Sequence, residues 1–162
     1  MQRGYSGSNF KQVMIKMKEK NKSENQGIEF TDTLYRENIL DYYRSPRNFG
    51  RLPEHNASYH GDNPVCGDEI GIELKINSKT GKIDKARFIG RGCAISQSAA
   101  SMLMEKAEGM KLSEVSKISR EDIMEMLGVN LNPTRLKCAI LSLKVLEGAI
   151  HNYKNSEIKL RK

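Results

Sequence analysis

The 162-residue chain contains no tryptophan, and aromatic residues make up only 6% of it. It also lacks any apolar run near the roughly 20 residues that a helix needs to cross a bilayer, which excludes an integral membrane protein. Its four prolines and three cysteines exclude collagen-like and disulfide-scaffold compositions. An odd number of cysteines without a secretory signal favours a reducing compartment, and we expect a cytoplasmic protein. Hydrophobic residues still make up 38% of the chain, which is enough for the core of one domain.

Positive charge is in excess, and it is unevenly distributed along the chain. The formal net charge is +7, of which residues 1–30 and 154–162 carry +3 each and residues 31–153 carry +1. A domain that binds phosphates would carry its excess on the folded part. We therefore predict a disordered basic extension (1–30), a folded domain (31–153) and a basic tail (154–162), with no nucleic-acid partner. An adaptor that binds nucleic acid through the basic tails stays an alternative hypothesis.

The hydrophobic pattern predicts a small antiparallel sheet. Apolar residues alternate with polar ones or glycine over residues 69–76, a period of two that is typical of a strand. Turn residues follow at 77–81, and a second strand is predicted over residues 83–90, so that the two form a hairpin. Residues 47–64 are rich in glycine, proline and asparagine and are predicted to be a loop with one short strand near 57–60.

Helices are predicted before and after this hairpin in the sequence. Thr31 and Asp32 resemble N-cap residues of a first helix that ends before Pro46. After the hairpin, helices are predicted from Cys93 to just before Gly109, over residues 111–116, and from a capping box at 119–122 to Gly128. A last long helix begins at Pro133. The fold class is α+β, with about three strands covered by helices.

The three cysteines fall at element boundaries of this predicted fold. Cys66 lies in a loop directly before the first strong strand, Cys93 lies between the second strand and a helix, and Cys138 lies about one turn into the last helix. The N-terminal end of a helix favours a thiolate over a thiol, which applies to Cys93 and Cys138. Three neighbouring residues add positive charge beside these two cysteines: Arg91, Arg135 and Lys137.

A carboxylate completes a candidate metal site. Cys66 and Asp68 are two residues apart, which places them on the same side of an extended segment. Three thiolates and one carboxylate suffice for a tetrahedral zinc ion or for the exposed iron atoms of an iron–sulfur cluster. Because a hard oxygen ligand suits soft metal–sulfur chemistry poorly, it makes such a site labile. Two alternatives stay open: the cysteines are small buried hydrophobic residues, or His55 and His60 join the ligands.

The same segments resemble the IscU/SufU/NifU-N family of iron–sulfur cluster assembly scaffolds. The resemblance runs from Leu34 to about Tyr153. It rests on five motifs, which are YRENILDYY at 35–43, SPRNFG at 45–50, NPVCGD at 63–68, GRGCAISQSAAS at 90–101 and RLKCA at 135–139.

This resemblance implies a SufE/NifU-like fold and assigns roles to four residues. Cys66, Asp68, Cys93 and Cys138 would hold a [2Fe–2S] cluster, and Cys138 and Cys93 would accept persulfide sulfur. The implied function is to assemble the cluster from iron and persulfide and to transfer it to apo-proteins. The implied partners are a cysteine desulfurase and the recipient apo iron–sulfur proteins, and a homodimer stays open. A scaffold of this kind is not an enzyme.

Two details of the resemblance point to a second branch of the family. Lys137 stands before the third cysteine, as in SufU-type proteins, where IscU proteins have histidine, and it joins the implied cofactor-binding residues. The step of 45 residues from Cys93 to Cys138 is short for the insertion of SufU proteins. The alternative function is therefore a zinc-bound sulfur acceptor, a sulfurtransferase that relays persulfide. Residues 131–135 match the chaperone-binding segment of IscU proteins only in part.

Overall fold

The structure, a computed structural model, describes residues 26–160. Its contacts divide the chain into two units, residues 1–34 and residues 35–162, and the whole sheet lies in the second unit. The described part has an α+β fold with a three-stranded antiparallel sheet in the order β1-β2-β3. Its elements are α1 Gln26–Arg44, β1 Ala57–Asn63, β2 Asp68–Ile76, β3 Ile83–Arg91, α2 Ala94–Ala107, α3 Leu112–Val115, α4 Arg120–Leu127 and α5 Pro133–Leu160.

The first helix begins earlier than predicted. It starts at Gln26 rather than near Thr31 and Asp32, because residues 26–30 contain no proline and continue the helix past the N-cap candidates. Its end at Arg44, just before Ser45 and Pro46, is confirmed. The remainder of the predicted extension, residues 1–25, lies outside the described residues, as do residues 161–162 of the predicted tail. The division into extension, domain and tail stays a prediction.

The middle of the central strand β2 is buried on both faces, whereas the sequence predicts one buried face. Its apolar residues are almost fully buried and lie on the sheet face that α5 covers. These residues are Ile70, Ile72, Leu74 and Ile76. On the other face Glu73 is also buried, because the segment after α1 crosses it. Arg51 donates to one carboxylate oxygen at 2.7 Å, and the backbone N–H of Leu52 donates to the other at 2.8 Å. This face is therefore closed by hydrogen bonds rather than by apolar packing.

The turn after α1 covers the edge of β3. The backbone N–H of Phe88 donates to the carbonyl of Asn48, and its carbonyl accepts from Gly50, each at 2.9 Å. Asn48 adopts a φ of +59°, and its side-chain amide donates to the carbonyl of Ala86 and to Glu108, each at 2.9 Å. These bonds occupy backbone groups that an edge strand would otherwise leave open to other chains.

Helix α5 lies closely along β1 because each of the two elements has a glycine at the contact. A Cβ atom on Gly61 of β1 would lie 2.8 Å from Cγ2 of Val145. A Cβ atom on Gly148 of α5 would lie 2.6 Å from Cδ1 of Tyr59. Strand β1 extends to Asn63, beyond the predicted 57–60. The start of α5 at Pro133 is confirmed.

The remaining helices match their predicted signals closely. Ser119 and Asp122 form the predicted capping box of α4, and Gly128 ends that helix in the left-handed conformation with φ +66°. Buried serines on α2 fasten the end of α1, since the hydroxyl of Ser98 donates to the carbonyl of Ile39 at 2.7 Å. Among the helices of residues 26–160, none has the length and the apolar character that crossing a bilayer requires.

Candidate metal centre

A tight turn presents Cys66 at the start of β2. The carbonyl of Asn63 accepts hydrogen bonds from the backbone N–H groups of Cys66 at 3.2 Å and of Gly67 at 2.8 Å. Gly67 has a φ of +70°, a left-handed conformation that glycine adopts at low cost. The turn leaves Cys66 exposed and directs the chain into β2, whose first residue, Asp68, is only 1% exposed.

Cys93 is the N-cap residue of α2 and is bonded to the same carboxylate. Its backbone N–H donates to Oδ1 of Asp68 at 2.9 Å, and its Sγ lies 3.8 Å from Oδ2. Glycine is required at position 92 for this approach. A Cβ atom there would lie 2.6 Å from Oγ of Ser96 and 2.8 Å from Cγ of Asp68. The junction between β3 and α2 thus brings a half-buried thiol to Asp68.

Cys138 approaches from the second turn of α5 and is 1% exposed. Its Sγ lies 3.1 Å from Sγ of Cys66, which in turn donates to Oδ2 of Asp68 at 2.9 Å. One ligand atom from each of Cys66, Asp68 and Cys138 lies within 4.8 Å of the others. Cys93 adjoins this group through Asp68. The structure therefore places three of the four predicted ligands in one compact group and the fourth, Cys93, beside it.

This donor set suits zinc or iron. Three sulfur atoms and one carboxylate oxygen match the four-coordinate tetrahedral sites that zinc forms in proteins. Thiolate sulfur also holds the iron atoms of iron–sulfur clusters. The arrangement has one buried oxygen donor, Asp68, at its centre, and one exposed thiol, Cys66. The candidate centre is therefore exposed to solvent on the side of the turn that bears Cys66.

The electrostatics of the group differ from the sequence-based expectation at Cys138. Burial raises the pKa of the Cys138 thiol, and hydrogen bonding with Cys66 and Asp68 raises it further. The helix N-terminus therefore does not yield a thiolate there in the metal-free chain, because desolvation outweighs the helix dipole. For Asp68, burial acts to raise the pKa, but hydrogen bonds from the Cys66 thiol and the Cys93 backbone hold it below its usual range.

Other predicted residues lie around this group rather than in it. Arg91 donates to Glu69 at 3.0 Å, so its charge is directed to that carboxylate. Lys137 is exposed on α5 beside Cys138. His55 lies 3.9 Å from Glu73, which is on the outer face of the sheet, and His60 is exposed on β1. Among the described residues, the compact group of ligand atoms includes neither histidine.

Three buried polar groups near the cysteines were missed by the sequence reasoning. Within residues 26–160, four buried side-chain atoms have no hydrogen-bond partner; one is on Arg47, and the three near the cysteines are Nδ2 of Asn63, Nε2 of Gln97 and Oγ of Ser142. Gln97 and Ser142 each follow a cysteine by four residues, which places them on the same helix face as that cysteine. All three can donate a hydrogen bond. The four-residue spacing is the signal that would have identified the two helical ones.

Comparison with known protein families agrees with this geometry. The family model described as the NifU-like N-terminal domain matches residues 34–159. The chain belongs to this family. The resemblance to the IscU/SufU/NifU-N scaffolds is thereby confirmed, and the match includes all four residues of the candidate centre.

The similar proteins include both a SufU-type and IscU-type relatives. The chain is 35% identical over 136 residues to the zinc-dependent sulfurtransferase SufU of Bacillus subtilis, covering 74% of this chain and 90% of that protein. It is 34% identical over 119 residues to the iron–sulfur cluster assembly scaffold protein IscU of Aquifex aeolicus, covering 74% and 75%. The IscU of Escherichia coli is 32% identical over 124 residues, covering 75% and 94%.

Solved structures of the family share this fold. The FiSufU structure from Fervidobacterium islandicum AW-1 superposes with a TM-score of 0.61 at 26% identity, covering 70% of this chain and 94% of that one. A NifU-like protein from Brucella abortus superposes with a TM-score of 0.61 at 18% identity, covering 76% and 96%. The latter likeness supports the fold alone.

Proposed function

We propose that the chain is a scaffold on which a [2Fe–2S] cluster is assembled from iron and persulfide sulfur and then transferred to apo-proteins. The observation that carries the proposal is the group of three thiols around one buried carboxylate, at the end of the sheet where β2 begins. Cys66 and Cys138 supply two sulfur donors 3.1 Å apart, and Cys93 adds a third at 3.8 Å from Asp68. The IscU relatives of Aquifex aeolicus and Escherichia coli are named as assembly scaffolds.

The oxygen donor suits a cluster that must leave again. Asp68 is held in place by the backbone N–H of Cys93 and by the Cys66 thiol, at 2.9 Å each. A carboxylate is a harder ligand than a thiolate, so it binds soft iron–sulfur species less firmly. Asp68 would therefore keep the cluster exchangeable, while the thiols retain it until a recipient binds.

Sulfur would reach the site as a persulfide from a cysteine desulfurase. Cys138 and Cys93 are the proposed acceptors, and recipient apo-proteins would take the finished cluster. Cys138 is 1% exposed, so its thiol must become accessible before a desulfurase can transfer sulfur to it. The cytoplasm is the proposed compartment. Neither a nucleic acid nor a membrane is among the proposed partners.

A zinc-dependent sulfur acceptor is the second candidate function. It is favoured by the 35% identity to the zinc-dependent SufU and by Lys137 before the third cysteine. Zinc would be held by Cys66, Asp68, Cys93 and Cys138, and when bound it would supply the charge that keeps thiols deprotonated. In this case Cys138 would relay persulfide, and the protein would be a sulfurtransferase.

Anaerobic purification followed by metal and sulfide analysis distinguishes the two functions. The scaffold predicts iron and acid-labile sulfide, with a brown chromophore that forms when desulfurase, cysteine and ferrous iron are supplied. The relay predicts one zinc per chain and a colourless protein. Cys93→Ser should abolish either product, whereas Ser113→Ala, an exposed position on α3, should leave both unchanged. A chain that retains neither metal and forms no chromophore would contradict both proposals.

The basic extension and tail are proposed to lie outside the assembly site. The candidate centre falls within residues 66–138, in the segment with a net charge of +1. Because α5 continues to Leu160, the tail should be neutralised by substitution rather than deleted. If neutralising the tail and removing residues 1–25 left cluster assembly unchanged but removed salt-dependent nucleic-acid binding, the adaptor alternative would gain support.

A further inference from the structure

Cys66 and Cys138 form a sulfur pair that is nearly close enough to bond. Their Sγ atoms lie 3.1 Å apart, about 1 Å longer than a disulfide bond of about 2.05 Å. Cys93 does not share this relation, since its thiol lies outside the compact group of ligand atoms. The pair also joins two unlike positions, because Cys66 stands on an exposed turn whereas Cys138 is buried on α5.

We propose that this pair is an internal dithiol that reduces the sulfur delivered to the site and releases it as hydrogen sulfide. The inference rests on the proposed function, because a desulfurase supplies the persulfide. A persulfide on Cys138, one of the two proposed acceptors, is attacked by the thiol of Cys66. The product is a Cys66–Cys138 disulfide beside the released sulfide.

The step is balanced within the chain. The attacking thiol forms a bond to the inner sulfur of the persulfide, and the bond between inner and outer sulfur breaks. The bonding electron pair leaves with the outer sulfur, which also takes the proton of the attacking thiol and departs as hydrogen sulfide. The outer sulfur gains two electrons, and the two cysteine sulfurs together lose two. A protein or small-molecule dithiol then reduces the disulfide by thiol–disulfide exchange and restores both cysteines.

Cys93 and Asp68 take no part in the step and stay available as metal ligands. The Cys93 thiol stays reduced and the Asp68 carboxylate stays unmodified, and the 2.9 Å hydrogen bond from the Cys93 backbone N–H to Asp68 joins the two residues. They leave one sulfur and one oxygen ligand that can hold iron where the sulfide appears. Sulfide is thus generated within the site and need not diffuse in from solution.

The test follows the isolated persulfide form of the full chain. The protein is loaded with desulfurase and cysteine, separated from both by anaerobic gel filtration, and incubated without reductant. Intact mass, peptide mapping and a sulfide assay follow the added sulfur atom. We expect the wild type to lose it, to release one equivalent of sulfide, and to lose two hydrogens in a disulfide that maps to Cys66 and Cys138. The rate should not depend on protein concentration, because both thiols belong to one chain.

Single substitutions test each member of the pair. Cys66→Ser and Cys138→Ser should each keep the added sulfur at least about tenfold longer, because no thiol remains within reach to attack it. Ser113→Ala, at an exposed position on α3, is the control and should release sulfide at the wild-type rate. Circular dichroism establishes that each variant is folded, and Cys66→Ala provides a second form of the exposed position.

The outcomes distinguish this inference from the function on which it rests. Sulfide release from Cys66→Ser at the wild-type rate, or a disulfide that includes Cys93, would overturn the internal dithiol but leave the scaffold intact. A wild-type chain that never gains a sulfur atom from the desulfurase would overturn the persulfide route and this inference together.

Discussion

Gly92→Ala tests whether Asp68 is held by the close approach of the β3–α2 junction. The added methyl group would lie 2.8 Å from Cγ of Asp68 and 2.6 Å from Oγ of Ser96, so the carboxylate must move. It would then lose the hydrogen bond from the Cys93 backbone, now 2.9 Å long. Hydrogen bonds to charged groups contribute about 1.5–3 kcal/mol, and we expect the free energy of unfolding to fall by about that amount.

A double-mutant cycle provides the assay. Urea unfolding of the metal-free, reduced chain is measured for Gly92→Ala, for Asp68→Ala and for the double variant. Because the alanine at position 68 removes the group that is displaced, Gly92→Ala should cost far less in that background, with a coupling of about 1.5–3 kcal/mol. Gly81→Ala is the control: it has a φ of +68° with nothing within 4 Å, so its cost of about 1–2 kcal/mol should be the same in both backgrounds. Additive costs for Gly92→Ala and Asp68→Ala would refute the reasoning.

Three further predictions concern the carboxylate, the sheet edge and the first helix. Asp68→Ala should slow cluster transfer to an apo-protein, measured by visible absorption, because the hard oxygen ligand is gone. Transfer at the wild-type rate would contradict the role of Asp68. Asn48→Ala should destabilise the fold by about 2–4 kcal/mol, and Asn48→Gly by about half of that, because glycine keeps the φ of +59° and loses only the side-chain bonds; equal losses in urea unfolding would be inconsistent with this. Burial and the 2.5 Å hydrogen bond to Glu105 raise the pKa of Tyr42, so its contribution of about 0.5–1.5 kcal/mol is complete below pH ~10 and is lost above it. Tyr42→Phe should therefore lower stability at pH 7 and differ less from the wild type as the pH rises beyond 10, and a constant difference would argue against this assignment.

Local sequence patterns predicted the hairpin and most helix ends because those features depend on neighbouring residues. Alternation placed Ile72 in the core, and Ser119 and Gly128 marked the two ends of α4. The burial of Glu73 could not be predicted in this way. It depends on a segment about twenty residues earlier that folds across β2 and supplies Arg51 as a partner. The role of Asn48 as an edge cap likewise appears only when the turn meets β3.

The sequence indicated which residues lie near one another at the candidate site better than it indicated their chemistry. Four residues from three distant segments were predicted as ligands; three of them form one compact group and Cys93 adjoins it, while their role as ligands stays a prediction. The direction of the pKa of Cys138 was predicted wrongly, because the sequence shows its position near a helix start but not its burial. The charge of Arg91 was assigned to a thiol, whereas its cross-strand neighbour Glu69 takes it up. Both errors arise from contacts between segments rather than within them.

Cys66 and Cys138 are held in place unequally, and this difference predicts which of the two thiols releases a bound metal first. Two sulfurs on one zinc, each about 2.3 Å from it, stand about 3.8 Å apart, so a metal must spread the 3.1 Å pair. Cys138 belongs to a 28-residue helix packed along β1 through Gly61 and Gly148, whereas Cys66 stands on a short exposed turn. The turn can move more easily than the helix, so we expect Cys66 rather than Cys138 to shift when a metal binds. A bound metal would then detach from Cys66 first, and hydrogen exchange of the backbone amides of residues 63–67 should slow on metal binding more than exchange around Cys138.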